Sequence, residues 1–266
     1  MRKTIFTLTA VVAACVLTLF ACRKNASNET ASSSVVSDDV LAKVYNLGFS
    51  NKDVISDGNG NYIVEGDILL SEADLNTKND VSLLRVGGEE QYRTTNLVRN
   101  LPRTITVSMS SALSTWSTAL NTAISRYNAR GLQITFTRVS SGGNINIING
   151  SGSFLASAGF PTSSGNPYSQ IILNNSQVTG QPQNTVASIL AHEMGHCIGF
   201  RHTDYMNRAY SCGGSAVNEG SSGVGAINIP GTPTGPDANS WMLSCIGSGQ
   251  NRPFNANDVI ALNYLY

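Results

Sequence analysis

All three histidines of this 266-residue chain lie within eleven positions, in the run His192-Glu193-Met194-Gly195-His196-Cys197-Ile198-Gly199-Phe200-Arg201-His202. None is left for the core or the surface elsewhere. His192 and His196 are four apart, so on a helix they project from one face about one turn apart. At that spacing two imidazole nitrogens reach one zinc at about 2.0–2.1 Å. Gly199 lets the chain leave the helix sharply, because a residue without a Cβ adopts positive φ at little cost. The turn then carries His202 round as a third ligand. Three protein ligands leave one position open to water, which a catalytic site needs and a structural site lacks. Glu193 follows the first ligand and can face that water as general base without binding the metal. The reading is one catalytic Zn2+ held by His192, His196 and His202, on a chain that must supply a long helix with a glycine stop.

The amino-terminal residues stand apart from any fold. Arg2 and Lys3 precede a mostly apolar stretch from Thr4 to Phe20, and Leu19-Phe20-Ala21-Cys22 resembles a bacterial lipobox. Residues 1–21 read as a lipoprotein signal peptide, Cys22 as the lipidated residue, and 22–37 as a flexible tether. The expected location is the bacterial cell envelope, anchored to a membrane on the periplasmic face or cell surface, with release after processing. Without the leader, 15 basic residues face 17 acidic ones. No basic run is present, so nucleic acid is not an expected partner. Cys197, Cys212 and Cys245 permit one disulfide in an oxidising compartment. Three pairings are open, of which Cys212–Cys245 would staple the long loop between them.

Further along, a short amphipathic helix is expected over 38–50 and a turn at Asp57-Gly58-Asn59-Gly60. That turn lacks the far acidic residue of a calcium loop. A strand is expected over 61–68 and a mobile connector over 71–100, with basic residues at Arg85, Arg93, Arg99 and Arg103. From Thr104 the pattern is regular: strand 104–109, a helix capped by Ser110-Ser111, and strands 132–139, 144–148 and 169–173. Asn184 is expected to cap a helix from 185 to 198, and a final helix runs over 257–265. The region between them is rich in Gly, Ser and Pro.

The histidine run resembles the metzincin signature, and its extension through Thr203 and Asp204 resembles the bacterial dual-action HEIGH metallopeptidase family, with Met194 where that name has isoleucine. The resemblance covers roughly residues 60–266. It implies a metzincin-like α+β fold: a twisted, mostly parallel four- to five-stranded sheet, a backing helix, the zinc-site helix and a loop-rich C-terminal subdomain. It implies a pro-segment over 38–100 and a catalytic domain over 101–266. Met242, in Trp241-Met242-Leu243, matches the methionine turn beneath the zinc, the alternative being a plain core methionine. Ser244 stands where astacin-like members carry a tyrosine. Asp258 would hydrogen-bond the methionine turn or satisfy the start of its own helix. Val64-Glu65-Gly66-Asp67-Ile68 resembles the astacin pro-segment motif, in which the aspartate occupies the zinc. Asp67 is therefore a latency ligand or a turn residue at a strand end.

The implied activity is a zinc endopeptidase acting on peptide or protein substrates and exported as a latent precursor. Cleavage among the arginines from Arg85 to Arg103 would free it. Extended substrate would pair with an edge strand near Ser169–Leu173. The alternative is a lipid-anchored, zinc-containing binding or adhesive protein without proteolytic activity, against which the intact Glu193 argues.

Overall fold

The computed structural model describes residues 35–76, 91–221, 223–233 and 235–266. The signal peptide, Cys22 and nearly all of the tether lie outside the described residues, as does Arg85. In chain order the elements are α1 (Asp38–Asn46), β1 (Ile55–Ser56), β2 (Asn61–Val64), β3 (Ile68–Ser71), α2 (Glu72–Leu75) and β4 (Tyr92–Arg93). Then come β5 (Arg103–Met109), a 3-10 helix (Ser111–Trp116), α3 (Ser117–Asn128), β6 (Ile134–Arg138), β7 (Ile145–Asn149), β8 (Ala156–Ala158) and β9 (Gln170–Leu173). The last are α4 (Asn175–Val178), α5 (Gln183–Ile198), α6 (Ala209–Cys212), β10 (Ile227–Asn228) and α7 (Ala256–Leu265).

Eight strands form one mixed sheet in the order β1-β2-β3-β8-β9-β7-β5-β6. The links β3–β8, β9–β7, β7–β5 and β5–β6 are parallel, and the other three are antiparallel. Five of the strands come from residues 101–266, the number expected there; the other three come from the segment before it. The expected strand 61–68 is a hairpin instead. Glu65 and Gly66 take positive φ values of 56° and 93°, which turns β2 back as β3 with Val64 opposite Ile68. β8 escaped the sequence reading because Ala-Ser-Ala has neither β-branched nor aromatic residues. Its presence moves β9 into the sheet interior, so the expected edge strand near Ser169–Leu173 is paired on both sides.

Helices α3 and α5 pack on each other and share the main core with Ile105, Val107, Phe136 and Ile147 of the sheet. Every residue of α5 from Thr185 to Ile198 is buried, as expected of a helix enclosed on all sides. It begins at Gln183 after Pro182, without a side-chain cap. Asn184 is therefore inside the helix rather than its cap. Gln183 instead ties α5 to α3: its Oε1 accepts from the Ala119 N–H and its Nε2 donates to the Thr115 carbonyl. Gly199, at φ 110°, ends the helix as expected.

The segment read as a connector over 71–100 is built into the fold at both ends. Ser71 closes β3 and Glu72–Leu75 form α2; residues 77–90 lie outside the described residues, and 91–100 are built into the main body. The Arg201 N–H donates to the Tyr92 carbonyl, and the Thr94 N–H to that of Gly199. Gln91 is fully buried. The disulfide joins Cys212 to Cys245 and leaves Cys197 as a buried thiol.

Candidate metal centre

Helix α5 presents His192 and His196 on one face, and the turn at Gly199 brings His202 back to them. Ring centroids are 4.6 Å apart for His192–His196, 4.9 Å for His196–His202 and 5.4 Å for His192–His202. Each Nδ1 is engaged away from the common centre. His192 Nδ1 donates to the Trp241 carbonyl at 2.8 Å, and His196 Nδ1 to the Phe200 carbonyl at 2.8 Å. His202 Nδ1 meets both oxygens of Glu219, at 2.9 and 3.0 Å. A carbonyl can only accept, so the proton of His192 and of His196 sits on Nδ1 and the Nε2 lone pair faces inward. Those two Nε2 atoms are buried and lack a hydrogen-bond partner among the described residues. Ligand atoms of Asp67, His192, His196 and His202 all lie within 4.8 Å of one another. Convergent imidazole nitrogens joined by a carboxylate oxygen fit one zinc ion.

Asp67 reaches this centre from the β2–β3 hairpin. Its Oδ2 is 3.1 Å from His202 Nε2 and 3.3 Å from His192 Nε2. Its carbonyl accepts from the Ala158 N–H at 3.0 Å, so β3 occupies the side of β8 that faces away from β9. Burial opposes charge on Asp67, but the neighbouring His202 and the close approach of His192 outweigh it and hold its pKa well below the ordinary carboxylate value. Burial likewise opposes charge on His202, and Asp67 and Glu219 together outweigh it and raise its pKa. Burial, reinforced by His192 and His202, lowers that of His196.

Glu193 is buried, and its Oε2 has no hydrogen-bond partner among the described residues. Burial first, then the Asp67 charge, pushes its pKa well up. With His192 it lines a cavity of about 370 Å³ that also takes in Ser188, Ile189, Leu243 and Arg252. None of His196, His202 and Arg201 lines it.

Met242 is fully buried beneath the helix. A Cβ on Gly195 would stand 2.6 Å from its sulfur, so glycine in the middle of α5 answers a close approach. The Met242 carbonyl accepts from the Thr203 N–H at 2.9 Å. Trp241 Nε1 reaches the Tyr127 hydroxyl and the Ala191 carbonyl, both at 3.3 Å. Asp258 fills both expected roles at once. Its Oδ2 accepts from the N–H groups of Trp241 (3.2 Å) and Asn255 (2.9 Å), and its Oδ1 from Ser240 Oγ (2.9 Å) and Gln91 Nε2 (2.7 Å). Ser244 Oγ is turned onto Asp204 Oδ1 at 2.8 Å and Glu219 Oε1 at 3.2 Å. Glu219 and Arg201 were not singled out in the sequence. Neither sits at a telling spacing, although Arg201 immediately precedes His202.

A family model described as the dual-action HEIGH metallo-peptidase matches residues 62–266. No curated protein sequence matches the chain. Among solved structures, myroilysin is similar at 17% identity and a TM-score of 0.42, covering 64% of this chain and 96% of its own. High choriolytic enzyme 1, a hatching enzyme zinc-protease from the medaka fish Oryzias latipes, is similar at 18% identity and a TM-score of 0.33, covering 61% of this chain and 88% of its own.

Proposed function

The chain belongs to the dual-action HEIGH metallo-peptidase family, and from that premise we propose that it is a zinc endopeptidase made as a latent precursor. The observation that carries the reading is the convergence of three imidazoles beside the buried, unpartnered carboxylate of Glu193.

His192, His196 and His202 would hold the ion, their rings fixed by the Trp241 carbonyl, the Phe200 carbonyl and the Glu219 carboxylate. Bound there, zinc supplies a Lewis acid that polarises a carbonyl and lowers the pKa of water towards ~7. Glu193 takes the proton of the attacking water and passes it to the leaving amine. Met242 and Trp241 form the floor that keeps the helix and its ligands in place. The 370 Å³ cavity beside Glu193 receives a substrate side chain. Extended substrate pairs with β8, in the place β3 takes in the precursor.

Latency is supported by Asp67, whose carboxylate would compete with water for the open position. The cut that relieves it would fall among the arginines from Arg85 to Arg103, of which Arg99 donates its N–H to the Gly165 carbonyl. Arg93 is in β4 and Arg103 opens β5, where its guanidinium donates to the Gly165 carbonyl and Asn166. The chain would be held at the cell envelope through a lipid on Cys22, and the same cut would release it.

The test is Glu193→Gln in the full chain, matured by processing, with zinc content measured beside casein and peptide cleavage. Zinc is retained and hydrolysis falls by roughly 10²–10⁴; undiminished hydrolysis overturns the assignment. Removal of zinc by a chelator abolishes wild-type cleavage, and mass spectrometry of the amino terminus locates the cut.

A further inference from the structure

Two residues before Asp67, a second carboxylate of the same hairpin is buried against the main body. Glu65 is 2% exposed. Its Oε2 accepts from Arg201 Nη2 at 3.0 Å, and its Oε1 from the Ser50 N–H at 3.1 Å. Arg201 is fully buried and directly precedes His202. Its guanidinium carbon lies 5.3 Å from the ring centroid of Phe49, 5.8 Å from that of Phe160 and 6.0 Å from that of Tyr205. Arg201 Nη1 donates to the Gly225 carbonyl at 3.3 Å. Glu219 is more distant, 3.7 Å from Nη2, and both its oxygens already face His202 Nδ1. Glu65 is thus the close carboxylate partner of this cation.

Glu65 and Phe49 belong to the segment that departs at maturation, while Arg201, Phe160 and Tyr205 remain. Leaving one partner of a buried ion pair behind is strongly unfavourable, and an aromatic-walled guanidinium suits a planar carboxylate. We propose that Arg201 is a substrate-recognition residue, and that the place held by Glu65 in the precursor becomes a subsite for an acidic side chain of the substrate. The inference rests on the peptidase and maturation reading above. Neither Arg201 nor Glu65 lines the 370 Å³ cavity, although Gly66 and Asp67, which follow Glu65, do. Phe160, which walls Arg201, also packs edge-on to His196, with centroids 5.5 Å apart. Because Arg201 directly precedes His202, the selected acidic residue lies within a few residues of the scissile bond.

The experiment uses the full chain after maturation and matched synthetic peptides carrying Glu or Gln at each position around the scissile bond. At one position kcat/KM for the Glu peptide exceeds that for the Gln peptide by roughly 10-fold or more. Arg201→Gln brings the two to parity and Arg201→Lys restores part of the difference, which a purely structural arginine would not produce. The wild-type comparison needs no variant, so a misfolded Arg201→Gln leaves it intact. A second arm measures binding of the same peptides, fluorescently labelled, to matured Glu193→Gln protein by polarisation. There a Glu preference of similar size is expected, even if no peptide is turned over; absence of turnover counts against the peptidase reading alone. Parity of Glu and Gln peptides in wild-type turnover and in binding overturns the proposal, and is the result if Arg201 swings onto Glu219 once Glu65 has gone.

Discussion

Glu219 faces His202 Nδ1 with both carboxylate oxygens, at 2.9 and 3.0 Å, from a loop seventeen residues further along the chain. A carboxylate in that place fixes the ring orientation and makes the opposite nitrogen a better ligand. Glu219→Gln swaps one acceptor for a donor and removes the charge. Zinc affinity, measured by competition with a chelator, falls roughly 10–100-fold while α5 is unaffected. An unchanged affinity would show that the contact only fills space.

Asp67→Ala in the full chain tests whether the carboxylate itself keeps the precursor silent. The hairpin should persist, because its ties at this residue are main-chain bonds: the Asp67 N–H to the Val64 carbonyl and the Ala158 N–H to the Asp67 carbonyl. Peptidase activity of the uncut variant is expected to rise at least several-fold over the uncut wild type, with the intact amino terminus verified by mass spectrometry. If the uncut variant is no more active than the uncut wild type, the proposed latency role of the carboxylate is overturned.

Gly199→Ala separates helix termination from helix stability. The backbone there is at φ 110°, and a Cβ would approach the Asn96 carbonyl oxygen to 2.9 Å and Leu97 Cδ2 to 2.7 Å. Strain and overlap together cost about 2–4 kcal/mol in chemical denaturation. Because the turn delivers His202, zinc affinity should fall as well. A loss of stability with full zinc affinity would mean that Glu219 and the Met242 carbonyl suffice to hold that segment.

Asp258 supplies a pH test away from the metal ligands. Burial raises its pKa to about 6, against the four donors that favour the carboxylate. Between its unfolded value near ~3.9 and about 6 the folded state holds more protons than the unfolded state. The group's contribution to stability is therefore complete below about pH 4 and is lost as pH rises through about 6. Asp258→Asn removes this dependence and disturbs two acceptor sites. The stability advantage of the wild type over the variant should grow by about 2–3 kcal/mol from pH 7 to pH 4. An advantage that shrinks instead would show that the bonds from Gln91, Ser240, Trp241 and Asn255 outweigh burial.

Local chemistry made some features legible before any fold was known. Residues four apart on a helix must share a face, so His192 and His196 were readable as a pair. The glycine stop was readable because few other residues adopt positive φ. The final helix was expected over 257–265, and the structure adds its reciprocal cap between Asn255 and Asp258. β8 was not legible: Ala-Ser-Ala carries no strand signal, and only the free side of β9 gives it a place. Nor was the turn at Glu65, a positive-φ residue that has no local reason to be one and is held by the remote Arg201 and Ser50.

The sequence by itself determined the three-histidine cluster, the helix that carries two of its members and the turn that returns the third, because these follow from spacing and backbone sterics within eleven residues. Only the tertiary structure decided which carboxylates attend that set. Asp67 and Glu65 arrive from a hairpin more than a hundred residues earlier, and Glu219 from a loop beyond. Their positions are fixed by strand pairing and burial rather than by any local preference. Long-range pairing of this kind leaves no period in the sequence, yet it governs the charge at the centre and the proposed acidic subsite at Arg201.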